Sequence, residues 1–198
     1  MDALLMCGGR GTRLRPAVGD TEKPLVSVDG QPMVDRVVDA LQASQVETVV
    51  AAVSPATPET AARLADRDGV RLVETPGEGY VDDLMTALET VETPVVTVTA
   101  DLPLLTGGLV DRAIKASNGE SLAVCVPQSL VESVGASVDT TVDHEAETVV
   151  PTGLNIVGSG PDRRVVWSTE RLAINVNRVS DLRCAERLVV DSEESVSE

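Results

Sequence analysis

A glycine-rich stretch with three arginines, close to the N-terminus, is the part of this chain best suited to chemistry. It runs from Gly8 to Pro16 as GGRGTRLRP, and Glu22-Lys23-Pro24-Leu25 follows a few residues later. Glycine N–H groups can approach an anion closely because no Cβ stands in the way. Arginine makes forked contacts with phosphate oxygens, and lysine adds a compact positive charge. This combination predicts a loop that binds a nucleoside triphosphate.

Two common phosphate-binding motifs do not fit this stretch. The Walker A loop ends in Gly-Lys-Ser/Thr, which the stretch does not contain. The dinucleotide fingerprint opens a helix directly, whereas Pro16 disfavours a helix that starts right after Gly11. A glycine-rich turn whose arginines simply face solvent remains the alternative without chemistry.

The elements that must position this loop alternate between strand-like and helix-like patterns. Strand-like apolar runs lie at 3–7, 47–53, 70–74, 94–100 and 121–126, and helix-like runs lie at 32–43, 58–68, 81–91, 109–117 and 181–190. Single helices between strands imply right-handed crossovers and a mostly parallel sheet. We therefore predict an α/β fold with three layers, α/β/α, around a mostly parallel central sheet.

Several further candidate residues follow strand-like runs, and the carboxyl ends of parallel strands meet at one edge of a sheet. Ser54 follows the run at 47–53, and Thr75 and Gly79 lie in the loop after 70–74. Asp101 follows the run at 94–100. A carboxylate there can hold Mg²⁺ against phosphate oxygens or cap a turn. We favour the metal because the glycine-rich loop lies in the same chain.

Length and composition bound the remaining possibilities. The 198 residues suit one domain, which we place at 1–190, followed by an acidic tail at 191–198 that we expect to be disordered. With one Trp, one Tyr and no Phe, the core must be aliphatic, which suits strands covered on both faces. No apolar run approaches the roughly 18 residues of a membrane span, and the N-terminus lacks the basic region of a secretory signal. We expect a cytoplasmic protein.

The charge balance is strongly acidic. The chain has 32 acidic and 16 basic residues, giving a formal net charge of −16, and only Lys23 and Lys115 are lysines. Such a charge repels nucleic acid and anionic membranes. At molar salt the Debye length falls to about 3 Å, and the self-repulsion largely disappears. The composition predicts a halophilic, salt-adapted protein without a nucleic-acid partner.

The cysteines and the single histidine predict no chemistry of their own. Cys7, Cys125 and Cys184 are widely spaced and form no C-x-x-C pair, so we expect buried, free thiols. His144 lies between two acidic residues in the irregular segment 128–149, where we expect a solvated side chain.

These motifs resemble those of the nucleotidyltransferases, which move a nucleoside monophosphate from a triphosphate to a phosphorylated acceptor. The family pattern is G-G-x-G-T-R-[LM] with a Lys-Pro pair, and many members carry an Asp in a D-x-P-like setting. Asn175-Val176-Asn177 is similar to the N-[IV]-N-x-x-x-D-L ending of small guanylyl- and cytidylyltransferases, but Arg178-Val179 replaces the usual Thr-Pro. Helix capping would then fall to Asn177 or Ser180, and capping and ligand binding stay equally open for the asparagines.

The order of the middle motifs is similar to that of the archaeal GTP:adenosylcobinamide-phosphate guanylyltransferases of cobalamin biosynthesis. The motifs are SPATP at 54–58, GEGYVDDL at 77–84, PTGLNIV at 151–157 and NVN at 175–177. The resemblance implies a Rossmann-like nucleotidyltransferase fold, GTP as donor, and a phosphorylated corrinoid, adenosylcobinamide phosphate, as acceptor. The products would be adenosylcobinamide-GDP and pyrophosphate. A homodimer is left open.

With this resemblance, each candidate residue receives an expected role. Backbone N–H groups of Gly8, Gly9, Arg10, Gly11 and Thr12 hold the β- and γ-phosphates. Arg13 stabilises the departing pyrophosphate, Lys23 contacts the α-phosphate, and Asp101 holds Mg²⁺. The loops at Ser54 and at Thr75 to Gly79 enclose guanine and ribose, and Asn177 contacts the nucleotide.

Three rival functions remain at this point. A sugar-1-phosphate nucleotidyltransferase shares the glycine motif but is usually longer. A molybdopterin guanylyltransferase matches the length and the asparagine motif but not the spacing at Gly11-Thr12. A nucleotide-binding protein without catalysis is a different class, against which both Lys23 and Asp101 argue. Glu22 introduces a further question, because its carboxylate could pair with the adjacent Lys23 ammonium and weaken the interaction of this ammonium with phosphate.

Overall fold

The computed structural model describes the backbone of residues 1–194 and the side chains of residues 1–190. The strands are β1 (Ala3–Met6), β2 (Ser27–Val28), β3 (Gln31–Pro32), β4 (Val49–Val53), β5 (Val70–Glu74), β6 (Val95–Thr99), β7 (Glu120–Pro127), β8 (Val142–His144), β9 (Glu147–Val157) and β10 (Ser159–Val166). The helices are α1 (Arg15–Val18), α2 (Met33–Gln42), α3 (Pro58–Ala65), α4 (Tyr80–Leu88), α5 (Gly107–Ser117), α6 (Gln128–Ser133) and α7 (Val179–Glu194). Short 3₁₀ turns lie at Lys23–Leu25 and Glu170–Leu172.

The central sheet is mixed and mostly parallel, which confirms the predicted fold class. Its order is β10-β7-β9-β6-β1-β4-β5, with β8 paired to β9 at the side. The strands β6, β1, β4 and β5 run parallel, whereas β9 runs antiparallel between β6 and β7. The chain runs outward from β1 to β5 and then returns to the other side of β1 as β6. Ligands in such sheets bind outside the strand ends where the order reverses.

The core covers both faces of this sheet. Alternate residues of β1 point to opposite faces, so Leu5 joins the larger apolar cluster while Leu4 and Met6 join the smaller one. The residues that fill both clusters are overwhelmingly aliphatic, as the composition predicts. Strands that are buried on both faces read as continuous apolar runs, which is why the sequence reveals them.

The structure differs from the predicted elements at three places. Helix α1 does start at Arg15, as a single turn with Pro16 in its first positions, where a missing N–H has no cost. The segment 128–149 is more ordered than expected, because it contains α6, β8 and the start of β9. Helix α7 continues to Glu194, so residues 191–194 of the predicted tail are helical, and residues 195–198 lie outside the described residues. Within the described part of the chain, no helix combines the length and apolarity that crossing a membrane requires.

Candidate active site

A cavity of about 650 Å³ opens at the carboxyl ends of β1, β5 and β6. Pockets of this size hold small molecules. The loops that the sequence assigns to one sheet edge do meet here. The lining comes from Met6 to Arg10, from Lys23 and Pro24, from 77–80 with Asp83, and from 99–101.

Lys23 joins three distant parts of the chain at the wall of this cavity. Its Nζ donates to Asp101 Oδ2 at 2.5 Å and to Asn177 Oδ1 at 2.6 Å. The Lys23 and Asp101 side chains are only 12% and 16% exposed, so water screens this ion pair weakly. Three residues predicted separately, from three different motifs, therefore form one hydrogen-bonded group.

Asp101 is held in its charged form. Burial raises its pKa, but the Lys23 ammonium and hydrogen bonds from side chains outweigh burial, so the pKa lies below the ordinary value. Asn175 Nδ2 donates to Asp101 Oδ1 at 3.3 Å and to the Thr152 carbonyl at 3.0 Å. The partners of the carboxylate are thus side chains rather than the backbone of a turn, which favours the charged-site interpretation over a turn cap.

The donor set around Asp101 fits Mg²⁺ only together with a substrate. Among residues 1–190, no group of three or more His, Cys, Asp or Glu side chains could hold a metal by itself. Mg²⁺ is often bound through one or two carboxylates, with the other ligands supplied by substrate phosphates and water. One ionised carboxylate at the wall of a triphosphate-sized cavity is compatible with that pattern.

At two positions the glycine loop approaches neighbouring side chains too closely to leave room for a Cβ. A Cβ on Gly11, whose φ is +57°, would lie 2.6 Å from Lys23 Cβ, and one on Gly8 would lie 2.9 Å from Asp83 Oδ2. Gly8, Gly9 and Arg10 line the cavity, whereas Gly11 and Thr12 do not. Gly11 therefore packs against the Lys23 side chain outside the cavity lining. Thr12 is not part of the lining either.

Arg13 is not brought into the cavity either. Its Nη1 donates to Asp139 Oδ2 at 2.6 Å, and its side chain is 59% exposed. The same carboxylate accepts from Arg178 through its other oxygen, also at 2.6 Å. This position does not match the expected contact with pyrophosphate. Arg13 and Asp139 are 126 residues apart in the sequence, so no local sequence pattern could predict their interaction.

Ser54 and Thr75 are buried beside the cavity rather than in it. Both line a smaller neighbouring cavity of about 340 Å³. The Thr75 hydroxyl donates to the Val53 carbonyl at 3.1 Å, and Ser54 Oγ accepts from the Ala56 N–H at 3.3 Å. Their hydroxyls therefore hold the strand-end loops in shape, while Gly79 lines the main cavity as expected.

Two residues of the cavity wall escaped the sequence prediction. Asp83 is 5% exposed, and its Oδ1 accepts from the Gly77 N–H at 2.7 Å, which ties the Gly77–Gly79 loop to α4. Tyr80, which is 46% exposed, presents an aromatic ring to the same wall. The sequence does contain a signal for Asp83, because it lies four residues before Ala87 and so falls on the same face of α4. That face is buried, which is an unusual place for a carboxylate.

Glu22 does not weaken Lys23, because its carboxylate is used elsewhere. It accepts from the N–H groups of Glu59 and Thr60, each at 2.7 Å, and from the Thr60 hydroxyl at 2.6 Å. Glu22 thus caps α3, whereas the side chain of Thr57, at the N-cap position, makes no capping hydrogen bond. The Thr57 hydroxyl instead bonds the Ser54 carbonyl.

The start of α7 is capped by Asp181 rather than by Asn177 or Ser180. Asp181 Oδ2 accepts from the N–H groups of Asn177 and Arg178, at 3.0 and 2.8 Å. An acidic side chain three residues into a helix often reaches back in this way. The Asn177 side chain is therefore free of capping and accepts from Lys23, which favours the ligand-binding interpretation over the cap.

The cysteines behave as predicted. All three are free and buried, and burial raises the pKa of the Cys7 thiol far above its ordinary value. A thiol that stays protonated is a poor nucleophile. Cys7 thus contributes shape to the cavity and no covalent chemistry. His144 lies half-buried in β8, away from the cavity lining.

Comparisons with known proteins agree with the geometry. Residues 3–152 match the family model of the MobA-like NTP transferase domain. The chain is 30% identical over 203 residues to the adenosylcobinamide-phosphate guanylyltransferase of Methanocaldococcus jannaschii, covering 96% of this chain and 97% of that one. It is 33% identical over 135 residues to a probable molybdenum cofactor guanylyltransferase of Natronomonas pharaonis, covering 67% and 65%. A hypothetical transferase structure from Thermus thermophilus shares the fold, with a TM-score of 0.67, 19% identity and coverage of 92% and 100%.

Proposed function

Because this chain belongs to the family of MobA-like NTP transferase domains and is a nucleotidyltransferase, we propose that it transfers GMP from GTP to adenosylcobinamide phosphate. The products are adenosylcobinamide-GDP and pyrophosphate, a step of cobalamin biosynthesis. The observation that carries the proposal is the Lys23–Asp101–Asn177 group beside the glycine loop, in a cavity of nucleotide size. The choice of substrates is supported by similarity along nearly the whole chain, whereas the molybdenum-related protein matches about two thirds of it.

The reaction is a substitution at the α-phosphorus of GTP. An oxygen of the acceptor phosphate forms a bond to this phosphorus, and the bond to the oxygen that bridges the α- and β-phosphates breaks. Pyrophosphate leaves with that oxygen and its electron pair. The acceptor phosphate is already ionised near neutral pH, so no general base is required, and catalysis consists of positioning and charge stabilisation.

The phosphate side of the cavity is assigned to the glycine loop and Lys23. The backbone at Gly8, Gly9 and Arg10 binds the β- and γ-phosphates. Lys23 Nζ, on the same wall, stabilises the negative charge that develops at the α-phosphate. Asn177, which accepts from this ammonium, orients it.

Mg²⁺ is the cofactor that this site would use, and Asp101 would hold it. When bound, the ion neutralises charge on the phosphate oxygens and polarises the α-phosphate. The chain's own contribution is an ionised carboxylate at neutral pH, since the pKa of Asp101 lies below the ordinary value. Asn175 keeps this carboxylate in place through its bond to Oδ1.

The base and ribose are assigned to the part of the cavity lining formed by the Gly77–Gly79 loop and the first turn of α4. Tyr80 offers an aromatic face on which a purine can stack. Asp83 fixes the loop through the Gly77 N–H. Buried polar groups that match guanine discriminate against adenine, because the wrong base leaves them unpaired.

A product assay at molar KCl tests the proposal. The protein is incubated with Mg²⁺, one of GTP, ATP, CTP or UTP, and adenosylcobinamide phosphate, a molybdopterin or a sugar 1-phosphate as acceptor. We expect pyrophosphate and a corrinoid of the mass of adenosylcobinamide-GDP only with GTP and the corrinoid acceptor. Turnover with another acceptor would replace the proposal by that activity. Tight GTP binding without release of pyrophosphate in the presence of any acceptor would indicate a nucleotide-binding protein instead.

A further inference from the structure

Apolar side chains are exposed on one side of α4, next to the active-site cavity. Among residues 1–190, the large apolar side chains that stay exposed are Tyr80, Val81, Met85 and Val190. Three of these four lie within residues 80–85. Apolar residues scattered singly over a surface need no explanation, but a group of them beside a cavity marks a candidate binding surface. We call Val81 and Met85 the α4 patch.

The α4 patch lies outside the core. Leu84 and Leu88 pack against the smaller apolar cluster. Val81 and Met85 are 68% and 59% exposed and belong to neither cluster of the described residues. They are four residues apart, so their side chains are neighbours on one side of the helix. The fold therefore does not require apolar side chains at these two positions.

The α4 patch continues directly from the cavity wall. Tyr80, the residue before Val81, lines the cavity together with Lys23 and Asp101. Burial raises the pKa of the Tyr80 hydroxyl, and the negative charge of Asp101 adds to this rise. The Tyr80 side chain therefore extends from α4 towards the Asp101 carboxylate. One aromatic residue thus connects the α4 patch with the groups to which the reaction is assigned.

The acceptor of the proposed reaction is too large to enter this cavity together with GTP. The cavity has a volume of about 650 Å³, the size that one drug-sized ligand fills. A corrinoid consists of a macrocycle with amide side chains at its edge and an adenosyl group on the cobalt, and its phosphate lies at the end of one side chain. Only this phosphate arm needs to reach the α-phosphate of GTP. The macrocycle must then rest on the surface around the mouth of the cavity.

The chemistry of the α4 patch fits the edge of a corrinoid. The flexible side chain of Met85 can adapt to an irregular apolar surface. Asp82 on α4 and Glu89 just after it are exposed and lie on the same side of the helix as Met85. Their carboxylates can accept hydrogen bonds from the amide side chains of a corrinoid. They also complement the positive charge that cobalt(III) retains, because the corrin ring and the alkyl ligand neutralise it only in part.

Two other occupants of the α4 patch fit less well. A stable dimer buries about 800 Å² on each partner, which is more than two side chains of this size supply. An anionic membrane repels a chain with a formal net charge of −16. Neither of these occupants would explain why the patch adjoins the cavity.

We propose that the macrocycle of the corrinoid acceptor docks on the α4 patch, so that its phosphate arm enters the cavity past Tyr80. The inference rests on the proposed function and gives the acceptor a binding surface outside the nucleotide site. Val81 and Met85 contribute to acceptor binding in this assignment and take no part in the stabilisation of charge.

Steady-state kinetics at molar KCl test this assignment. The double variant Val81→Thr/Met85→Gln replaces apolar atoms by polar ones of similar shape. We expect its KM for adenosylcobinamide phosphate to rise about 10-fold, while its KM for GTP and its melting temperature stay unchanged. Adenosylcobinamide without the phosphate should compete with the acceptor, and its inhibition constant should rise by the same factor. Val190→Thr, the same change at an exposed valine on α7, is the matched control and should behave like the natural protein.

A second variant tests the assignment in the opposite direction. Val81→Leu enlarges the α4 patch and should lower the KM for the corrinoid. An unchanged acceptor KM in the double variant, or an equal rise in its KM for GTP, would overturn the docking assignment while corrinoid turnover still upholds the proposed function. A natural protein that sediments as a dimer, with a double variant that sediments as a monomer, would make the patch an interface between two copies instead. A natural protein that does not convert the corrinoid would overturn the proposed function and this inference together.

Discussion

Lys23 is the residue to which we assign charge stabilisation in the cavity. Its ammonium group is held between the Asp101 carboxylate and the Asn177 amide oxygen, almost entirely out of water. Charge stabilisation is strongest where water is excluded and the groups are fixed in advance. The carboxylate of Glu22, the residue before Lys23, does not compete for this ammonium group, because it accepts from the start of α3.

Removal of the Lys23 ammonium should abolish most of the turnover. We expect Lys23→Ala to lower kcat by about 10²–10³, the usual loss for one charge-stabilising group. The measurement is steady-state pyrophosphate release at saturating GTP and acceptor. Lys115, the only other lysine, lies exposed on α5, so Lys115→Ala is the control and should retain full activity. A Lys23→Ala protein with near-normal kcat would contradict the role of this residue.

The lowered pKa of Asp101 should make the stability of the fold depend on pH. A carboxyl group with a lower pKa in the folded state stabilises the fold above its unfolded pKa, about 3.9, and loses this contribution as pH falls through the folded value. We therefore expect the difference in unfolding free energy between the natural protein and Asp101→Asn to be constant above about pH 5 and to shrink below about pH 4. Urea titrations across this range measure it. A difference that does not change with pH would show that Lys23 and Asp101 are not coupled.

At the scale of elements, the glycine loop and α3 both serve to place Lys23. Gly11 allows the loop to pass against the lysine side chain, and Glu22 fixes the chain just before it to the first turn of α3. The side chain reaches Asp101 and Asn177 from this fixed backbone. A mutation that shifts the glycine loop or α3 should therefore also displace Lys23 in the active site.

Gly11→Ala should harm catalysis more than its backbone strain explains. Any residue with a Cβ pays of order 1–3 kcal/mol for a positive φ. At Gly11, with φ +57°, the new Cβ also meets Lys23, whereas at Gly19, with φ +63°, it meets no atom within 4 Å. We expect both alanine variants to melt at a lower temperature and only Gly11→Ala to lose kcat strongly. Equal kcat values for the two variants would argue against support of Lys23 by Gly11.

Loss of the Glu22 carboxylate should loosen the junction between α3 and the active site. Glu22→Ala removes the cap of α3, which costs about 0.5–2 kcal/mol, and it should lower kcat as well. Thermal melts and pyrophosphate release measure the two effects. Glu59→Ala is the control, because its backbone N–H rather than its side chain contacts Glu22. Higher activity in Glu22→Ala would instead mean that this carboxylate restrains Lys23.

The sequence predicts the elements of this fold well where the pattern is local. The strand at 70–74 was predicted with the bounds that β5 has, since its apolar run is ended by Thr75-Pro76-Gly77. The ordered pieces within 128–149 were missed because α6 and β8 are too short to establish a period.

The structure brings predicted site residues together where each of them follows a strand end, and it leaves them apart where a contact with a distant residue decides their position. Lys23 and Asp101 come from separate motifs, yet both follow the logic of strand ends and meet. Arg13 does not line the cavity, because its side chain binds Asp139, which lies 126 residues away in the sequence. The cap of α7 was also misassigned, since Asp181, rather than Asn177 or Ser180, supplies it.

At the scale of the whole molecule, the acidic excess should make stability depend on salt. The formal net charge of −16 is distributed over a chain of 198 residues. At low ionic strength this charge repels itself and opposes the compact state. Arg10, which lines the cavity, stands out against this background because it places a positive charge at the proposed nucleotide site.

Addition of salt should therefore raise the melting temperature. We expect a higher melting temperature in 2–3 M KCl than in 0.1 M KCl, since the Debye length falls from about 10 Å to below 3 Å. Differential scanning fluorimetry over a KCl series gives the measurement. A neutral osmolyte at equal osmolality serves as the control for solvent effects other than screening. Equal melting temperatures across the series would show that the acidic surface is not an adaptation to salt.

The single carboxylate of Asp181 gives the C-terminal helix a share in the enzyme's work. It ties Ser137, Asn177 and Arg178 together, and through Asn177 it is one residue away from the catalytic ammonium. A premature stop codon just before α7 would spare every strand of the sheet and still disorganise the reacting groups.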